Sequence, residues 1–264
     1  DCQMAEAEPQ NPDQETASEN AAENVGIISI LAVGRNSIGR DLRLKADDVI
    51  VGIDGAPITY DVDRFDTLLR NYKELPALLT IYRDGKLFEV FADGPLGCSY
   101  KYADEATTTA LQEANKDRVM KPKEAYNQFE SLRNIRRQIR LYSTRYEPMA
   151  TILPPFWLLY RRMWEPLGVV MVTYAISLFI QPALFALVYL LISIYFHKAQ
   201  TSLIRSHSLY HEYYFWMIFA APSTKEAQEL LRSFDAKCNF EFSYVGPPEK
   251  LNKNGDAGTA DSPA

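Results

Sequence analysis

Charge is missing from one long stretch of this 264-residue chain: the thirty-one residues between Glu165 and His197 hold no Asp, Glu, Lys, Arg or His. Histidine and cysteine are scarce, with three of each. Cys2, Cys98 and Cys238 lie far apart and follow no metal spacing. An odd, sparse set of this kind argues against a disulfide framework and reads as free thiols. No Gly-x-x-x-x-Gly-Lys phosphate loop and no Gly-x-Gly-x-x-Gly turn occurs. His207-x-x-x-His211 puts two imidazoles on one helical face, as zinc sites do. However, His211-Glu212 is followed by Tyr213-Tyr214-Phe215, so no metalloprotease motif is completed. The sequence predicts no catalytic residue, no metal and no cofactor.

What is present is apolar. More than eighteen consecutive apolar residues read as membrane-embedded, because a helix satisfies its own backbone inside lipid. Thirty-one helical residues would be about 46 Å long, against about 30 Å of hydrocarbon. Gln181-Pro182 marks the midpoint, and proline suits the first turn of a new helix. The stretch is therefore expected to form two helices, about Phe156–Ile180 and Pro182–Ala199. Arg161 and Arg162 flank one end, Lys198 and Arg205 the other. The positive-inside rule places both flanks on the cytoplasmic side. Trp157, Tyr160, Arg161, Arg162 and Trp164 form a candidate membrane-interface belt of aromatic and cationic side chains.

Charge is segregated elsewhere. Residues 1–24 carry seven acids and no base, and residues 116–162 carry eleven Lys and Arg. The first segment lacks the apolar content to offset ordering entropy and is expected to be a disordered acidic tail. The same holds for residues 246–264. Residues 25–97 alternate between β-rich runs and one helical pattern, Asp61–Tyr72. The Arg83-Asp84-Gly85-Lys86 segment between Leu78–Tyr82 and Leu87–Phe91 is a hairpin signal. Residues 98–146 are expected to be a helical linker. In it Tyr126, Phe129, Leu132, Ile135, Ile139, Tyr142 and Tyr146 recur at three or four, opposite Arg133, Arg136, Arg137 and Arg140. Such a helix either lies on anionic headgroups or packs on its own domain. Residues 147–200 form the membrane region, and residues 201–245 are expected to be polar and helical. Ser223-Thr224-Lys225-Glu226 is a capping box opening a helix through Phe234.

Two stretches resemble known families. Val25-Gly26-Ile27-Ile28-Ser29-Ile30, followed by Asn36 to Ile58 with Leu44-Lys45-Ala46-Asp47-Asp48-Val49-Ile50 and Asp54-Gly55, resembles the PDZ domains of bacterial heat-shock and site-2 proteases. Asp47 stands where that pattern has glycine, at a place where a left-handed turn is common. Pro154-Pro155-Phe156-Trp157-Leu158-Leu159-Tyr160-Arg161-Arg162-Met163-Trp164, with Ala221-Pro222-Ser223-Thr224-Lys225-Glu226-Ala227, resembles a family of small bacterial membrane proteins. The fold expected is an α+β PDZ-like domain, a small antiparallel β-barrel with a helix, followed by an all-α membrane hairpin region.

The function this implies is a non-enzymatic, membrane-anchored adaptor or sensor for a protein C-terminus or extended peptide. Its expected location is the bacterial inner membrane, with soluble parts in the cytoplasm. The candidate peptide-binding residues are Gly26, Ile27, Ile28 and Ser29 on a strand, and Phe65, Leu68 and Leu69 on the helix. Anionic lipid headgroups are the second expected partner. The chain is too short for a trypsin-like domain beside the PDZ-like segment, and the uncharged stretch has no ligands for an intramembrane zinc protease. Nucleic acid is not expected, since the basic block adjoins the apolar stretch. The alternative is a structural subunit or assembly factor of a larger membrane complex.

Overall fold

The structure is a computed structural model and describes residues 27–57, 62–72, 75–104, 107–111 and 120–249. The expected N-terminal tail, Gly26 and residues 250–264 of the expected C-terminal tail lie outside the described residues. The chain divides into two compact units, residues 1–123 and 124–264.

The first unit is built on an antiparallel sheet. Its strands are β1 (Ile28–Val33), β2 (Val49–Ile53), β3 (Ala56–Pro57), β4 (Ala77–Arg83), β5 (Lys86–Ala92) and β6 (Cys98–Tyr102). They lie in the order β6-β1-β2-β4-β5, with β3 pairing β2. Helix α1 (Ile38–Asp41) follows β1, and α2 (Val62–Asn71) precedes β4. The β4–β5 hairpin forms as its sequence predicts. Asp84 and Gly85 both take positive φ, 50° and 79°, and the strand pairing closes around them through Arg83 and Lys86. That turn twists with its strands, which explains why Asp-Gly serves there. Asp47 also takes a left-handed φ of 66°, a conformation aspartate tolerates better than most residues. Next to it Asp48 is buried and accepts from Arg83 Nε at 2.6 Å and from the Lys45 amide at 2.7 Å. Ile28, Ile30, Ile50, Phe65, Leu69, Leu79, Ile81, Phe88 and Val90 form the core.

The second unit is a mixed sheet with a helical hairpin inserted. Strands β7 (Asn127–Arg133), β8 (Gln138–Ser143), β9 (Tyr214–Ala221) and β10 (Asn239–Phe240) lie in the order β10-β8-β7-β9. β10 runs parallel to β8, and the other pairs are antiparallel. Between β8 and β9 come α3 (Pro148–Ile152), α4 (Pro154–Tyr160), α5 (Trp164–Ile180) and α6 (Pro182–Tyr210). Helix α7 (Thr224–Phe234) links β9 to β10, and the Ser223 hydroxyl caps it by accepting from the Glu226 amide at 3.2 Å.

A small PDZ-like barrel followed by an all-α region is therefore not the fold of this chain. Among the described residues the first unit's strand order does not close on itself, and it extends beyond residue 97 to take in β6. The second unit mixes helices with four strands among the described residues. The expected basic amphipathic linker helix is instead the β7–β8 hairpin, after a short helical turn at 107–111. The expected polar helical region after residue 200 is split by β9. The hairpin turn at 134–137 has neither glycine nor proline. Asn134 holds it by accepting from the Gln138 amide at 2.9 Å, and Arg137 takes the left-handed φ of 59°.

The uncharged stretch does break where its proline predicts. Gln181 is extended, with φ −164° and ψ 133°, and Pro182 opens α6. Tyr174 of α5 meets the rings of Phe185 and Tyr189 of α6 at 5.5 and 5.8 Å. Glu165 at the start of α5 meets His207 and His211 at the end of α6. The two helices thus pack antiparallel. The first begins later than expected, at Trp164, and the second runs further, to Tyr210. α6 is long and apolar enough to cross a membrane, and 11% of its apolar window is buried inside the protein.

Candidate functional site at the foot of the helical hairpin

The hairpin stands on a short helical platform. Proline at the first position of both α3 and α4 starts each without a donor to lose. In α4, Phe156 and Tyr160 are exposed on one face, while Trp157 and Leu158 turn inward. Trp157 is 1% exposed, packs edge-on against Phe196 at 5.9 Å and donates from Nε1 to Glu147 at 2.6 Å. It is therefore a core residue and leaves the expected interface belt. Of the other aromatics expected in that belt, Tyr160 and Trp164 are exposed. Arg161 pairs with the other oxygen of Glu147. Arg162 ends α4 with a φ of 55° and lies 4.9 Å over the Phe242 ring.

Beside this platform is a cavity of about 530 Å³. Arg140 and Tyr142 of β8, Arg161 and Arg162, His207 of α6, and Glu241 border it. Its charges are largely paired: Arg140 Nε donates to Glu241 at 3.1 Å, and Arg161 to Glu147. Arg161 Nε is buried and has no acceptor among the described residues. Burial, then a hydrogen bond to Glu130, pushes the Tyr142 phenol well above its ordinary range. It serves as a neutral donor at any physiological pH.

Three potential metal-binding side chains meet at the cavity's edge. His207 and His211 are one turn apart on α6, with ring centroids 4.5 Å apart. Glu165 brings Oε2 to 3.7 Å from His207 Nδ1 and Oε1 to 3.5 Å from His211 Nε2. One ligand atom from each lies within 4.8 Å of the others. The histidine pair was visible as an i, i+4 spacing. Glu165 was not, because it lies on the neighbouring helix and only the antiparallel packing brings it there.

The peptide-site residues expected in the first unit are placed differently. Ile28 and Ser29 are buried, Ile27 is half-buried, and the free edge expected of β1 is taken by β6. Phe65 and Leu69 have no exposed surface, and Leu68 is half-buried. Tyr100 of β6 packs edge-on against Phe65 at 5.3 Å and donates to Asp66 at 3.1 Å. The groove between β1 and α2 is thus filled by the chain's own strand. Pro95 to Tyr102 reads in sequence as a boundary because of its proline and glycine. The alternation Cys98, Tyr100 against Ser99, Lys101 was the available strand signal. Among the described residues β6 is the last strand on this side of the sheet. Ala103 N donates to Ile27 O, so strand alternation turns the Tyr100 and Tyr102 amides away from β1.

A scan against protein-family models finds no match to this chain, and a search of curated proteins finds none either.

Proposed function

We propose that this protein is a non-enzymatic, membrane-anchored adaptor. The α5–α6 hairpin sits in the bilayer of a bacterial inner membrane, with both of its feet on the cytoplasmic side. The observation that carries the anchor is the apolar shell of the hairpin. Val169, Val172, Ile176, Ile180, Leu187, Leu190 and Ile194 are all exposed, and Phe179 at the tip is 94% exposed. In water such a surface would be a severe aggregation hazard, and lipid covers it at no cost. Phe156, Tyr160 and Trp164 suit the headgroup layer, where amphipathic rings collect. The exposed Arg162 suits an anionic headgroup phosphate.

The adaptor part of the reading rests on β6. A strand at a sheet's end offers backbone donors and acceptors to an extended peptide, which adds as a further strand. The binding edge is thereby moved from β1, where the sequence suggested it, to β6.

Two measurements test the reading. After alkaline carbonate extraction the protein is expected in the membrane pellet, and reporter fusions at Leu153 and Tyr210 are expected to report the same cytoplasmic side. Release into the supernatant, or opposite sides, overturns the anchor. A displayed library of extended peptides is expected to yield binders whose affinity is lost when alternate backbone amides of the peptide are N-methylated, which blocks strand addition. Equal binding by the N-methylated peptides overturns the peptide edge.

A further inference from the structure

We propose that Glu165, His207 and His211 bind a divalent transition-metal ion of the zinc class, which clasps the two feet of the helical hairpin together. The proposal does not depend on the peptide edge of β6. It rests on the chemistry and spacing of three side chains.

Two imidazole nitrogens and one carboxylate oxygen form a borderline-hard donor set. Such a set prefers zinc, copper, nickel or cobalt to magnesium or calcium, which want more oxygens. The distances suit a small ion. A tetrahedral centre with bonds of about 2.0–2.1 Å has ligand atoms about 3.3 Å apart. The carboxylate oxygens already lie 3.7 and 3.5 Å from the two histidine nitrogens. The three ligand atoms, within 4.8 Å of one another, close onto one ion by rotation of the two imidazoles and of Glu165, which is more than half exposed. Three protein ligands leave at least one position for water.

The surroundings are compatible with a cation. The site is at the C-terminal end of α6, where the last carbonyls carry partial negative charge. Arg140, which borders the same cavity as His207, is held by Glu241 at 3.1 Å and lies 4.5 Å over the Tyr213 ring. The helix positions matter as much as the charges. Glu165 is in the first turn of α5, and His211 caps α6. One ion therefore joins the start of the hairpin to its end, where the helices leave the apolar layer. Its expected effect is to hold the hairpin closed over the cavity that His207 borders.

The test uses the full chain without affinity-tag histidines, in detergent micelles, dialysed against buffered Zn²⁺. The expected result is one zinc ion per chain and a thermal midpoint that rises with zinc. Each of Glu165→Gln, His207→Ala and His211→Ala is expected to weaken binding by about tenfold or more. His211 and Glu165 are partly exposed, so these two variants keep the fold, as circular dichroism without zinc will register. Co²⁺ is expected to show the visible absorption of a low-coordinate nitrogen–oxygen site in the wild type and lose it in His211→Ala. Unchanged zinc binding by the His207→Ala/His211→Ala double variant overturns the proposal. So does the absence of saturable zinc binding by the folded wild type, or tighter binding of Mg²⁺ than of Zn²⁺.

Discussion

Arg205 of α6 forks onto the carboxylate of Glu130, in the middle of strand β7. Its Nε donates to Oε2 at 2.8 Å and its Nη2 donates to Oε1. Tyr142 of β8 adds a third donor, to Oε2 at 2.5 Å. The Glu130 side chain is 1% exposed, so the carboxylate depends on these three groups in place of water. Through this contact the end of the apolar hairpin is tied to the sheet of the second unit. A buried charge that loses its partner costs far more than the pair contributes over neutral groups.

Arg205→Ala is accordingly expected to destabilise the protein by about 3–5 kcal/mol, with Arg205→Lys recovering only part, since an ammonium cannot fork onto both oxygens. The double variant Arg205→Met/Glu130→Gln is expected to be more stable than Arg205→Ala, because no charge is then left buried. Thermal melts of these proteins and of the Arg205→Met and Glu130→Gln single variants in one detergent check this. Additive losses would show that the two residues do not act as a pair.

A second buried pair holds the first unit. Asp48 accepts from Arg83 Nε at 2.6 Å and Nη2 at 2.5 Å, and from the Lys45 amide at 2.7 Å. Arg83 also donates to the Arg43 carbonyl at 3.1 Å. Asp48→Ala is expected to cost about 3–5 kcal/mol by leaving the guanidinium buried and unpaired. Asp47→Gly, one residue earlier, is expected to change stability by no more than about 1 kcal/mol. Glycine relieves the left-handed backbone while the exposed Lys101–Asp47 ion pair is lost. Denaturant unfolding of the full chain, followed by protection of the β2 and β4 amides, separates the two.

Local signals in this chain were legible where a single residue dictates backbone geometry. Asp84-Gly85 announced the β4–β5 turn, Gln181-Pro182 the break between α5 and α6, and Ser223 the start of α7. The β7–β8 hairpin was not legible, because its turn hides behind ordinary residues. Arg137 adopts the conformation that glycine usually marks, and Asn134 supplies the turn's hydrogen bonds through its side chain. Phe129 and Leu132 sit three apart, as on a helix, yet they lie on opposite faces of one strand. Both are buried, since Leu132 packs with Tyr142 and Tyr213 while Phe129 stacks on Phe219 on the other face. Half of the metal-binding geometry showed in the His207–His211 spacing. Glu165 could emerge only from tertiary packing. So could the pairing of β6 with β1, which no local pattern encodes.

The capping box at α7 offers a contained test of a local signal. Ser223 Oγ accepts from the Glu226 amide and donates back to the Glu226 carboxylate, both at 3.2 Å. The helix buries Ala227, Gln228 and Leu231. Ser223→Ala is expected to cost about 1 kcal/mol, and Ser223→Asp to retain most of the cap. A melt in which Ser223→Ala matches the wild type would show that packing alone sets this helix start.

Cys98 gives the protein a pH dependence in the alkaline range. Its thiol is pushed up from 9.0 to about 11, first by burial and then by the negative charges of Asp66 and Asp48. It also packs on Gly39, where a Cβ would come within 2.6 Å of Sγ, so little room is left for a reagent. At pH 8 its thiolate is about a hundredfold scarcer than that of an ordinary cysteine, and alkylation is expected to be slower by at least that factor. The rate is expected to climb about tenfold per pH unit until about pH 11. Mass spectrometry of the Cys98 peptide distinguishes it from Cys238, whose thiol burial also raises. The sign for stability follows from the same shift. Below pH 9 both folded and unfolded chains keep this thiol neutral, and its contribution is fully present. Between 9 and about 11 only the unfolded chain ionises, so stability falls as pH rises. Tyr100, pushed up by burial and by Asp66, acts in the same direction. Cys98→Ala is therefore expected to flatten the alkaline loss without abolishing it. A variant as steeply destabilised as the wild type above pH 9 would show that Cys98 stays solvated in the folded protein.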